Sequence, residues 1–234
     1  MEQKPKKTNI DDGDMQFDES SKNDNLKYSC FLSRRFYDED NDAKEIMDTL
    51  VAKLKTEIGF YGGKCFMDLG REVNPNDAEM INTQIGRALC ESACMVLIFT
   101  PDYFRSDGLT CAKEYFGMKK LIKQRQNCMK EAGETVNSLT VIAIIVRGLL
   151  PDEIKQQSIV YEFENYEGLD TIDNERSHYF KKIKEIAKVV DDTRTHLSDH
   201  MPALCNICET FKLPDNSEVY ASMQKMQLTR PNFR

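Results

Sequence analysis

Two stretches of this chain decide most of what it can become: "CMVLIFT" at residues 94–100 and "TVIAIIV" at 140–146. Each is apolar without alternation, so neither can turn one face to water. Runs of this length and composition fit strands covered on both sides. Around them the period changes. Ala43, Ile46, Met47, Leu50, Val51, Leu54 and Ile58 recur at helical spacing, and Gly59, Gly62 and Gly63 end that helix. Met80, Ile81, Ile85, Ala88 and Leu89 form a second apolar stripe, preceded by Asn76 with Glu79 three residues on, the pattern of a capping box. "YSCFLS" (28–33), "KCFMD" (64–68) and "IVYEF" (159–163) read as shorter strands, the last of them edge-like. A helix starts within "SDGLTCAKEYFGM" (106–118) and runs to about residue 130, and a final one around 175–190 carries Tyr179, Phe180, Ile183, Ile186, Val189 and Val190.

Strands alternating with helices, two of the strands doubly buried, predict an α/β fold: a flavodoxin-like, doubly wound, five-stranded parallel sheet. In such sheets ligands bind at the carboxyl ends of the strands, near the switch in strand order. That rule gathers residues 33–37, 68–77, 100–114 and 147–158 on one rim.

The totals narrow the function. A length of 234 residues holds one ordinary domain with tails, and 40% hydrophobic with 30% charged residues fits a globular chain. A formal charge of −7 argues against a dedicated nucleic-acid surface, which needs a basic face. No run reaches the roughly 18 apolar residues of a membrane span. The first residues lack a signal-peptide pattern, so the expected location is cytoplasmic, with no membrane partner. Cys30, Cys65 and Cys94 fall in expected strands and Cys90, Cys111 and Cys128 in expected helices, the distribution of free buried thiols in a reducing compartment. Residues 1–27 are polar and charged and are expected to form a disordered acidic arm.

Familiar chemistry is missing. No G-x-G-x-x-G follows the first strand, and there is no P-loop lysine and no G-x-S-x-G elbow. His178, His196 and His200 all come late, so a histidine-based triad on the rim has no base. A receiver domain with Asp68 at a strand end would want acidic residues after the first strand, where "LSRRFYDED" offers arginines first.

What the rim does offer is Arg34, Arg35, the acidic and glycine-containing loop from Asp68, and Glu114. Guanidinium groups suit pyrophosphate oxygens, and a carboxylate accepts hydrogen bonds from ribose hydroxyls. Two plain arginines in a solvated loop are the alternative. If Thr110 caps its helix, Glu114 falls in the first turn, where unpaired N–H groups favour an ionised carboxylate. Such a group stabilises positive charge on a sugar ring better than it donates a proton. An ordinary first-turn glutamate remains the other reading.

Four segments in order resemble one family, the Toll/interleukin-1 receptor (TIR) domains, over roughly residues 28–190. "SCFLSRR" is similar to the family's first strand and loop, and "KCFMDLGREVNPNDAEMINTQIGRAL" to its second strand, BB loop and following helix. "ACMVLIFTPDYFRSD" resembles the third strand with its closing S/T-P, and "LTCAKEY" the W-C-x-x-E of the next helix. The resemblance implies a TIR domain at 28–192 between the arm at 1–27 and a C-terminal helical extension at 193–234. It also implies an enzyme of the bacterial anti-phage type that hydrolyses or cyclises NAD. Glu114 maps onto the catalytic glutamate. Ser33, Arg34, Arg35 and Phe36 map onto the nucleotide cleft, Asp68 and Leu69 onto the BB loop, and Thr100, Thr110 and Cys111 onto the third-strand end and the helix start. NAD is then substrate, not cofactor, and the site needs no metal. Partners implied are a second copy or other TIR domains through the loop Asp68 to Asn76, and a separately encoded effector reading an ADP-ribose-type product. Thr110 departs from the family by replacing its tryptophan, and Phe36 or Tyr103 is the aromatic left to shape the nicotinamide end. A non-enzymatic scaffold joining TIR domains is the competing expectation.

The tail adds "HLSDHMPALCNIC", with His196, His200, Cys205 and Cys208 within thirteen residues. The set matches zinc ligands in type, with a shorter gap between the pairs than fingers use; a plain helical extension is the alternative.

Overall fold

The two apolar runs lie side by side at the centre of a five-stranded sheet. The computed structural model describes residues 26–35, 41–67, 78–105, 109–133, 141–163, 177–200 and 207–226. Phe36, Asp68, Leu69, the rest of the 68–76 loop, the Asn76 cap, Cys205 and residues 1–25 of the expected arm lie outside the described residues. The strands are β1 (Tyr28–Arg34), β2 (Cys65–Met67), β3 (Ser92–Phe99), β4 (Val141–Ile145) and β5 (Ile159–Glu162). They run in the order β2-β1-β3-β4-β5, every pairing parallel. That is the flavodoxin-like order, with its switch between β1 and β3. Every residue of β3 and β4 is buried, as their unbroken apolar sequences require.

The helices are α1 (Asn41–Phe60), α2 (Ala78–Cys90), α3 (Thr110–Glu131), a short α4 (Asp152–Lys155), α5 (His178–His200), α6 (Ile207–Thr210) and α7 (Asn216–Lys225). Successive strand residues point to opposite faces, so the sheet has two cores. Phe31, Met95, Leu97, Phe99, Ala143 and Ile145 pack against α2 and α3 through residues such as Leu89, Tyr115, Met118 and Leu121. Cys30, Leu32, Val96, Ile98, Ile142 and Ile144 pack against Leu50, Leu54 and Ile58 of α1 and Ile183, Ile186 and Val190 of α5.

Several boundaries differ from expectation. Gly59 stays inside α1; the stop comes at Gly62, whose φ of 70° a glycine adopts without strain, while the amide of Gly63 donates to the Ile58 carbonyl at 3.1 Å. Helix α5 continues to His200, straight through the expected 192/193 boundary, because Thr193 and Leu197 extend its buried stripe beyond Val190. None of the described helices is long and apolar enough to cross a membrane.

One of the buried charged side chains closes the end of a helix. Arg125 of α3 is 3% exposed, and its guanidinium donates to the carbonyls of Cys90 at 2.9 Å, Ser92 at 2.9 Å and Ala93 at 3.2 Å. Cys90 is the last residue of α2. The cation therefore meets the negative end of a helix dipole and its unsatisfied carbonyls, which takes the place of a carboxylate partner. Burial lowers the Arg125 pKa from its ordinary value, while the nearby thiols act the other way.

Beyond α5 the chain returns across the other side of the sheet. Helix α7 opens on a full capping box, Asp215 with Glu218, and buries Val219 and Met223 in the α2/α3 core. Leu213 enters the seam between the two helices where both carry glycine: a Cβ on Gly117 would stand 2.6 Å from Leu213, and one on Gly86 3.6 Å from it. Because Leu213 is only partly buried, Leu213→Ala should cost about 1–2 kcal/mol rather than the full core penalty. Urea denaturation reads this as a lower midpoint with unchanged slope; a midpoint equal to the parent's would contradict the seam's importance.

Candidate functional site

The parity of β1 builds the site. Phe31 faces the α2/α3 core, so Ser33, two residues on, points the same way, toward α3. There the Ser33 hydroxyl, fully buried, donates to Oε2 of Glu114. The same Ser33 oxygen lies 2.5 Å from the Tyr103 hydroxyl. A serine has one proton to give. With that proton on Glu114, Tyr103 is the donor to Ser33, and the chain runs tyrosine to serine to carboxylate. Tyr103 keeps its proton for this role: burial, then the neighbouring Cys111 and Glu114, push its phenol well above the ordinary value.

Tyr103 is held by the turn after β3. Its amide donates to the Thr100 carbonyl at 3.0 Å, and its ring lies edge-on to Phe104 at 4.8 Å between centroids. With 0% exposure it is enclosed on every side, and its hydroxyl backs the serine. Thr100 is buried, with no hydrogen-bond partner for Oγ1 among the described residues. Pro101 beside it meets the next turn of the rim. Gly148, at φ 84°, would place a Cβ 2.8 Å from the Pro101 ring, so only glycine lets the two turns close up. Leu149 follows at 84% exposure.

Glu114 itself is 1% exposed. Its expected place in the first turn does not hold. Leu109 occupies the cap position in a helical conformation without a side-chain cap bond, Thr110 is the first helical residue and is exposed, and the first turn holds no acidic residue. Glu114 thus stands in the second turn, and the Ser33 hydroxyl, not the helix end, is its described hydrogen-bond donor. Cys111, one turn earlier, is buried close to Tyr103.

The arginines expected as a pair are divided by the same parity. Arg34 turns to the α1 face, where Nη2 meets Oδ1 of Asp48 at 2.5 Å. Arg35 returns toward the β3–α3 turn and donates from Nη1 to the Asp102 carbonyl at 3.1 Å. Only Arg35 shares the side of the sheet that holds Ser33 and Glu114. Asp48, the Tyr103 hydroxyl and the Asp102 carbonyl were not legible as partners. The aromatic pair in "TPDYF", directly after a buried strand, is the one signal that pointed to a tyrosine packed beneath the rim.

No three of His, Cys, Asp and Glu among the described residues gather as metal ligands. His196 and His200 stack one helical turn apart, 4.4 Å between ring centroids. Cys208 does not join them; its side chain lies beside Cys90 of α2.

No protein-family model matches the chain, and no curated protein matches it. Among solved structures it is similar to the TIR domains in the structure of the activated Roq1 resistosome directly recognizing the pathogen effector XopQ. The identity is 16%, over 85% of this chain and 98% of that one, with a TM-score of 0.34. At that score the likeness adds nothing to what the strand order already establishes. The class defined by fold and site together is a flavodoxin-like α/β domain with a buried carboxylate at the carboxyl end of its sheet.

Proposed function

We propose that this protein is a TIR-type domain that cleaves the nicotinamide–ribose bond of NAD, with Glu114 as the group that opposes positive charge on the ribose. The observation that carries the reading is the Tyr103–Ser33–Glu114 chain at the switch between β1 and β3, where doubly wound folds bind ligands. It sits on the residues that match the TIR motifs. Nicotinamide leaves as a neutral base, taking the electron pair of the broken bond, so no acid is required. The ribose cation, stabilised by the carboxylate, is then captured by water or by a nucleophile of the same molecule, giving ADP-ribose or a cyclised relative. Arg35 is the nearer arginine for the pyrophosphate.

With Glu114 1% exposed, the reaction requires the rim to open. Assembly of copies through the 68–76 loop is the step assigned to this. A cytosolic location and a separately encoded effector that senses the product belong to the same reading. Concentrated protein incubated with NAD, alone and with a crowding agent, should release nicotinamide detectable by chromatography. No release under any assembly condition would reject the reading in favour of a second one, a TIR scaffold. The closed burial of Glu114 against Ser33 favours that alternative, since a carboxylate used only for structure needs no access.

A further inference from the structure

The C-terminal segment meets α2 at two points one turn apart. On α2, Gly86 and Cys90 are separated by four residues and share a face. Just past α6, the amide of Phe211 donates to the Ile207 carbonyl at 2.8 Å, so Phe211 and Cys208 are likewise about a turn apart. The Phe211 ring lies 3.9 Å from the position a Gly86 Cβ would take. That contact, with Ile207 and Phe211 packed on the cluster that holds Cys90, sets α6 over the end of α2 and brings the Cys208 side chain beside that of Cys90. Cys90 is 2% exposed, whereas Cys208 is open to solvent. Below them lies the Arg125 guanidinium, with two of its three hydrogen bonds on the carbonyls of Cys90 and Ser92.

We propose that Cys90 and Cys208 are a redox-responsive pair, which a peroxide-class oxidant joins as a disulfide that staples the C-terminal segment to α2. The two sulfurs are unlike, as such chemistry needs. The hydrogen bond from Cys90, then the Arg125 charge, hold the Cys208 thiol below its ordinary value, while the same contact and burial push Cys90 up. Cys208 as thiolate attacks one oxygen of hydrogen peroxide; the O–O bond breaks, a sulfenic acid forms and the second oxygen leaves as water after taking a proton. The Cys90 sulfur then attacks the sulfenic sulfur, the S–O bond breaks, and the departing hydroxide carries off the Cys90 proton as a second water. Two thiols are oxidised and one peroxide is reduced.

Closing this bond ties the cover that holds Leu213 and α7 to α2, which shares the Leu213 seam with α3, the helix that carries Glu114. The inference does not depend on the NAD reading. The test treats the full chain with hydrogen peroxide under native conditions, followed by mass spectrometry of the intact and digested protein. The expected result is loss of two hydrogens, reversed by dithiothreitol. Digestion after lysine, arginine and glutamate separates Cys90 from Cys94 at Glu91, so the crosslinked fragment identifies Cys90. Cys208→Ser, at an exposed position, should lose the crosslink, and Cys205→Ser should keep it. A crosslink that survives in Cys208→Ser, one that vanishes in Cys205→Ser, or thiols oxidised without any Cys90 crosslink would each overturn the proposal.

Discussion

Arg125→Met lowers the unfolding free energy by on the order of 3 kcal/mol, read as a shifted urea midpoint at unchanged slope. Two effects oppose each other at this position. Methionine relieves the desolvation that a buried guanidinium suffers, a gain that often makes hydrophobic replacement of buried ions harmless. Against this, three charge-assisted hydrogen bonds disappear, each worth roughly 1.5–3 kcal/mol, and the end of α2 loses the cation facing its dipole. The carbonyls of Cys90, Ser92 and Ala93 sit on buried residues, so little water reaches them in exchange. The losses outweigh the gain. A midpoint change worth less than about 1 kcal/mol would show that desolvation had cancelled the bonds and that Arg125 is not the cap of α2.

Glu114→Gln separates chemistry from folding. Glutamine has the same shape and keeps an oxygen to accept the Ser33 proton, so stability changes by no more than about 1 kcal/mol. Nicotinamide release from NAD, by contrast, falls roughly 10²–10³-fold, the loss typical of removing one preorganised electrostatic group from a transition state. Paired measurement of urea midpoint and release rate distinguishes the outcomes. Release at the parent rate from a stably folded variant removes Glu114 from the reaction. A variant that unfolds marks the carboxylate as structural and supports the scaffold.

The fold was legible because its central strands are unambiguous. No amphipathic reading fits "CMVLIFT" or "TVIAIIV", and between them they dictate a sheet buried on both sides. The helix ends were less so. Polar residues in "DDTRTHLSDH" hid the continuation of α5, where only Thr193 and Leu197 among the later residues carry the buried stripe. Glu114 stood out by motif and Ser33 by its place at a strand end. The link between them was invisible, since it depends on the register of β1 with β3 and on the turn that brings Tyr103 down onto both. The arginine pair divides for a related reason: adjacent residues look like one cluster in a sequence, yet Arg34 at the end of β1 turns to Asp48 and Arg35 beyond it to the β3–α3 turn.

The strand order carries a consequence for how the molecule is made. β1 stands between β2, only three residues long, and β3, with Cys30 in register with both Cys65 and Cys94. During synthesis the first strand therefore has little to hold until β3 has emerged, and closing that long loop is an entropic barrier the short neighbour cannot offset. β3 is the strand that β1 and β4 flank on either side, so both pairings wait for it. The segment carrying Leu213 and α7, which follows every strand in the chain, packs on a face whose strands precede it. Ribosome-stalled chains released before residue 92 should accordingly be as protease-sensitive as an unfolded polypeptide, and those extended past β4 should begin to resist.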